Sequence, residues 1–226
     1  MNRLILIATA VMVISFSACS GGNNTSGELP PAELPPVESP SSTPESGETE
    51  TATSSLELAG QVIVEFDYEK QSGHASNQFA VWIEDSAGNL VKTLYATKYT
   101  ANGGYKNRPD SISLWVKKSE LASMDKNQVD AITSATPKQG PVSYTWDLTN
   151  VNGETVAPGE YTVVVEGSLR WKNSVLYTAK IEVGGSPSAI QAEAEYSYEA
   201  ADGQDALTSD SPENSMLQNV TVKYIP

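Results

Sequence analysis

Gln61-Val-Ile-Val-Glu-Phe-Asp-Tyr-Glu69 is the stretch that decides the fold class. Val62, Val64, Phe66 and Tyr68 alternate with Ile63, Glu65, Asp67 and Glu69. That period of two sets every second side chain on one face of a half-buried strand. Outward from it the pattern repeats. Phe79 to Asp85 and Leu90 to Tyr95 flank Ser86-Ala-Gly-Asn89, a hairpin signal. Ser111-Ile-Ser-Leu-Trp-Val116, Ser143 to Leu148, Glu160 to Glu166 and the alternating set Val175 to Val183 read as further strands. Ser119 is placed to cap a short helix running to about Lys126. Ile190 to Tyr198 and Val220 to Tyr224 also alternate, and a loose acidic loop from about Ala200 to Ser215 joins them. Many short strands with frequent turn signals predict an all-β, immunoglobulin-like antiparallel β-sandwich.

The remainder of the chain is of another kind. It has 226 residues, 28 acidic against 14 basic side chains, one Cys and one His. A net charge of -14 carries no basic footprint for nucleic acid. One Cys excludes an internal disulfide, and one His excludes a multi-His metal centre. Arg3 precedes an apolar run from Leu4 to Ala18, short for a membrane span and suited to an export signal. Residues 20–58 are rich in Pro, Ser, Thr and Glu and cannot bury enough apolar area to offset chain entropy. The expected organisation is a signal segment over 1–19, a disordered tether over 20–58 and a sandwich over 59–226.

Three short segments resemble known families. Phe16-Ser-Ala-Cys19 resembles the bacterial lipobox, with Phe16 where Leu is usual. The resemblance implies lipidation of Cys19 and an extracytoplasmic protein held on a membrane; cleavage after Ala18 to give a secreted protein is the alternative. Trp146-Asp-Leu-Thr-Asn-Val-Asn-Gly-Glu-Thr-Val-Ala-Pro-Gly-Glu-Tyr-Thr162 resembles FlgD-type immunoglobulin-like domains, which implies Trp146 and Tyr161 in the core. Ser72 to Asp85, Gly103 to Asp110 and Asp130 to Thr136, together with the Trp146 segment, make the wider stretch from about Gln61 to Val183 look like a bacterial family of predicted periplasmic proteins discussed beside flavin-based redox systems.

Asp130-Ala-Ile-Thr-Ser-Ala-Thr136 resembles the acceptor motif of a secreted FMN transferase. The resemblance implies Thr136 as the hydroxyl that takes FMN through a phosphodiester and Asp130 as the motif acid. Ser134 stands where Gly is usual, and a positive backbone dihedral at that point would disfavour Ser. Trp115, Tyr144 or Trp146 would then be available to stack on the flavin. The partners implied are an FMN transferase and envelope redox proteins, besides the membrane itself.

Other motifs yield less. Asn150-Val-Asn-Gly153 hints at a calcium loop, but its first and last ligand positions would be Leu148 and Gly159. His74 lies in a polar stretch with no nucleophile motif nearby. Tyr105, Arg108 and Asp110 occupy a Gly-rich loop that suits either a ligand or an internal ion pair. No catalytic residue is assigned, although a hydrolase using paired carboxylates is a spatial matter that sequence does not decide. Two readings follow: a lipid-anchored carrier of covalent FMN, or a cofactor-free immunoglobulin-like binding or assembly module of the envelope.

Overall fold

The computed structural model describes residues 60–72 and 77–226. Cys19, the tether and His74 lie outside the described residues. Strands β1 (Gln61–Tyr68), β2 (Gln78–Asp85), β3 (Leu90–Thr97), β4 (Thr133–Ser134) and β5 (Gly140–Trp146) come first. They are followed by β6 (Gly159–Arg170), β7 (Asn173–Val183), β8 (Ser188–Gln191), β9 (Glu193–Ser197) and β10 (Leu217–Ile225). They form two sheets, ordered β5-β1-β10-β8 and β4-β3-β2-β6-β7-β9. The protein is an all-β sandwich. Every pairing is antiparallel except the short β3–β4 pair, which is parallel.

The alternation of β1 is realised as read. Val62, Val64, Phe66 and Tyr68 are buried between the sheets, with Val220, Val222 and Tyr224 of β10 beside them. Phe79, Val81 and Ile83 of β2, and Val163 and Val165 of β6, face them from the other sheet. The 85–89 hairpin forms as expected. The Asp85 carboxylate accepts from the Ala87 and Asn89 N–H groups, and Gly88 takes φ 79°.

The stretch between β3 and β4 departs from expectation. Ser111–Val116 is no strand. It holds α2 (Ser113–Lys118), preceded by α1 (Lys98–Ala101) and followed by α3 (Lys126–Ile132). These short helices cover the outer face of the six-stranded sheet, where Ile112, Trp115, Leu121 and Val129 pack on Ala80, Trp82, Ala96 and Val164. Phe79-Ala-Val-Trp-Ile83 is therefore apolar without interruption because β2 is buried on both faces.

Long-range hydrogen bonds decide the helical outcome. Glu166 on β6 is 5% exposed and its carboxylate accepts from the Leu114 and Trp115 N–H groups at 3.1 and 2.8 Å. Ser168 Oγ accepts from Ile112 N–H at 2.9 Å. Ile112 sits at φ 42°, a costly conformation for a β-branched residue. That strain is roughly 1–3 kcal/mol, and full burial of the Ile112 side chain offsets it by roughly 1.5–3 kcal/mol. Ser119 ends α2 rather than starting a helix; Asp125 caps α3 through a capping box with Gln128.

The expected strand from Ile190 to Tyr198 is divided at Ala192. β8 pairs with β10 in one sheet and β9 pairs with β7 in the other, so this segment passes between the sheets. The acidic loop that follows is tied down. The Asn173 side chain accepts from the Glu199 and Leu207 N–H groups, Leu207 is buried, and Arg170 pairs with Glu213 at 3.1 Å.

Candidate functional site

The segment carrying Asp130 and Thr136 is fixed at one end by helix and strand. The Asp125 carboxylate accepts from the Asn127 and Gln128 N–H groups, starting α3. Asp130 lies in the last turn of α3, exposed and paired with Lys126, which holds its carboxyl below the usual range. Thr133 and Ser134 then pair with Ala96 and Thr97 of β3 as β4. Residues 135–139 leave this sheet and cross to β5 at the edge of the other sheet, with Thr136 exposed. No hydrogen bond or ion pair joins Asp130 to Thr136 among the described residues. Ser134 is absent from the residues with positive φ, so this conformation makes no demand for Gly there.

Aromatic rings from β1, β2, β3 and β5 pack together inside the sandwich. Phe79 and Tyr95 stand 4.7 Å apart between centroids, Tyr95 and Tyr144 4.9 Å, and Phe66 and Tyr144 6.0 Å. Tyr95 is 2% exposed, and its buried hydroxyl has no hydrogen-bond partner. Burial first, then the Tyr68 phenol, pushes Tyr95 up to about 12, while the neighbouring Thr136 side chain acts the other way. Thr136 thus faces this phenol without a bond of good geometry. An orphaned buried hydroxyl costs roughly 1–3 kcal/mol, so a polar atom delivered to it would be stabilising. A phosphate oxygen carried on Thr136 is one acceptor that this phenol could serve.

Of the three aromatics expected to stack on a flavin, two are corrected. Trp115 is fully buried under the helices, and its Nε1 donates to Thr93 Oγ1 at 3.1 Å. Trp146 is fully buried against Tyr161, edge to face at 5.2 Å, and its Nε1 donates to the Thr149 carbonyl. Neither offers a face to a ligand. Tyr144 is half-buried, with its ring beside that of Tyr95. Tyr95 was not legible, because the β2–β3 register slips twice, at Val81/Trp82 and Ile83/Glu84, and alternation along β3 loses its phase.

Other clusters have internal partners. A hollow of about 730 Å³ lies between β3, α2 and α3, lined in part by Lys92, Lys118, Met124 and Ile132. Its cations are engaged, Lys92 with Asp147 at 2.8 Å and Lys118 with Glu84 at 3.1 Å. Glu65 and Asp67 face one groove on the four-stranded sheet, but Lys223 pairs with Glu65 and Asn219 donates to Asp67. Asn150 Oδ1 accepts from the Asn152 and Glu154 N–H groups, closing its own turn. Arg108 is half-buried, and that burial lowers its guanidinium pKa from the usual value while Tyr99 and Asp110 favour its charge. Trp146 and Tyr161 pack in the core, and Tyr161 Oη donates back to the Ala157 carbonyl at 2.8 Å.

No described helix is long and apolar enough to cross a membrane. No curated protein and no solved structure matches the chain. A family described as predicted periplasmic proteins, DUF2271, matches residues 41–200, which is more than half of the sequence and covers both the acceptor-like segment and β3. The chain belongs to this family of predicted periplasmic proteins.

Proposed function

We propose that the protein is a lipid-anchored carrier of flavin mononucleotide, esterified at Thr136, that serves electron transfer outside the cytoplasm and has no turnover chemistry of its own. The observation that carries this reading is the exposed Thr136, at the end of an acceptor-like segment, beside the buried Tyr95 phenol that makes no well-formed hydrogen bond. The flavin would supply one- and two-electron transfer. The chain's part is to present and hold it. Thr136 Oγ forms a bond to phosphorus as the phosphoanhydride of a flavin dinucleotide breaks; the hydroxyl proton passes to a base of the transferase, and a nucleoside monophosphate leaves. α3 and β4 hold the peptide at the sheet edge while small Ala135 leaves room for the transferase. Cys19 would fix the lipid, and the tether would carry the sandwich out from the membrane.

Co-expression with an FMN transferase tests the reading. The purified protein should carry one FMN by intact mass and absorb in the visible range, and Thr136→Ala should remove both. Cys19→Ser should move the protein from the membrane fraction to the soluble one. An adduct that survives Thr136→Ala, or fractionation unchanged by Cys19→Ser, overturns the corresponding half. A second reading, the cofactor-free binding module, is favoured by the edge of β3. Among the described residues β4 pairs with Ala96 and Thr97 alone, and no strand lies beside the outer edge over Leu90–Tyr95. A colourless wild-type product would favour that module.

A further inference from the structure

Residues 135–139 cross from β4 to β5, which are edge strands of different sheets. Two phenols of the inner aromatic group differ in their partners. Tyr68 Oη donates to Asn77 Oδ1 at 3.2 Å. Tyr95 Oη is buried and makes no well-formed hydrogen bond; the Thr136 side chain is its polar neighbour. Buried hydroxyls are paired in folded proteins with few exceptions, and an exception calls for a physical reason. The ring is held on both sides, by Phe79 at 4.7 Å and Tyr144 at 4.9 Å, so it cannot swing out to water without breaking the core.

We propose that Tyr95 is a positioning residue for the cofactor linkage, donating its phenolic proton to a non-bridging oxygen of the phosphodiester formed on Thr136. This rests on the carrier reading above. Esterification replaces a neutral hydroxyl by a diester of charge -1 with two strong acceptor oxygens, and a hydrogen bond to such an anion is shorter and stronger than one between neutral groups. Tyr95 suits the task because a phenol is a protonated donor across the physiological range, and burial only raises its pKa further. The bond would fix the first atoms of the flavin arm against a rigid sheet and restrict the arc the ring can sweep.

The test compares modified and unmodified full-length chains, with and without Tyr95→Phe, after co-expression with the transferase. Intact mass first establishes the adduct, which Tyr95→Phe should carry in similar yield. In wild type, flavinylation should raise Tm and give a dispersed phosphodiester 31P resonance. In Tyr95→Phe, the rise in Tm should be lost and the resonance should move toward that of a free diester. A purely structural Tyr95 would lower Tm equally in modified and unmodified protein. The proposal is overturned if the flavinylation-dependent rise survives in Tyr95→Phe. If that variant does not fold, wild type labelled at tyrosine Cζ gives the answer: one buried tyrosine resonance should shift on flavinylation, and an unshifted spectrum overturns the proposal. Absence of any adduct on wild type overturns the carrier reading itself, and the role of Tyr95 with it.

Discussion

Glu166 is a carboxylate sealed between β6 and the first turn of α2, with both oxygens engaged by backbone N–H groups. Burial raises its pKa from 4.5 to about 6, against the lowering effect of those two bonds. Between these values the folded chain holds the proton more tightly than the unfolded chain. This contribution to stability is complete below pH 4.5 and lost as pH rises through about 6, an effect on the order of 2 kcal/mol. Asp85 and Asp147 have lowered pKa values and act in the opposite sense, losing stability as the solution becomes more acid. Glu166→Gln separates the two. Relative to the variant, wild type should lose stability between pH 4.5 and 6.5, read from denaturant midpoints. A wild-type minus variant difference that stays constant over this range would contradict the assignment.

α3 is an element of seven residues, too short to persist without help. Its help is the capping box, in which Asp125 accepts from two N–H groups and Gln128 Oε1 accepts from Asp125 N–H at 2.8 Å. Asp125→Ala should cost about 1 kcal/mol. The loss should fall on α3 and β4, where amide exchange over Val129 to Ser134 should quicken about fivefold. Exchange in β6 and β7 should not change; faster exchange throughout the sandwich would refute a local role. The same shortness explains what the sequence did and did not disclose. Val62, Val64 and Phe66 declare their strand because period two is complete within five residues. Ile112, Leu114, Trp115 and Val116 suit a strand or a helix, and the choice rests on Glu166 and Ser168, more than fifty residues away. Ile190 to Tyr198 alternates throughout, and nothing local marks Ala192 as the point where the chain changes sheets. Thr136 and Asp130 could be named from spacing, whereas Tyr95 depends on two register slips that only pairing reveals.

At the scale of the whole molecule, charge and fold divide the chain differently. Residues 20–58 carry seven acids and no base, and residues 186–226 carry seven acids with Lys223 alone against them. The intervening body is nearly neutral, so the acidity sits in residues 20–58 and in the C-terminal region and repels anionic surfaces only within roughly 8 Å at physiological salt. The C-terminal region is nonetheless integral to the fold. The family match ends at residue 200, yet β10 lies beyond it as an inner strand of its sheet, between β1 and β8. Leu217, Val220, Val222 and Tyr224 are all but fully buried, and Tyr224 Oη accepts from Gly184 N–H at 2.8 Å. Four such side chains contribute roughly 6–12 kcal/mol by burial, as much as the entire stability of an ordinary domain, about 5–15 kcal/mol. Removing β10 would also leave β1 and β5 as an isolated pair and strip β8 of its partner. A chain ending at Ala200 should therefore lack a cooperative thermal transition and be degraded rapidly by protease, whereas the full chain should melt in one step. A truncated chain that melted cooperatively near the full-length Tm would mean that the matched region folds by itself and that β10 is an accessory to it.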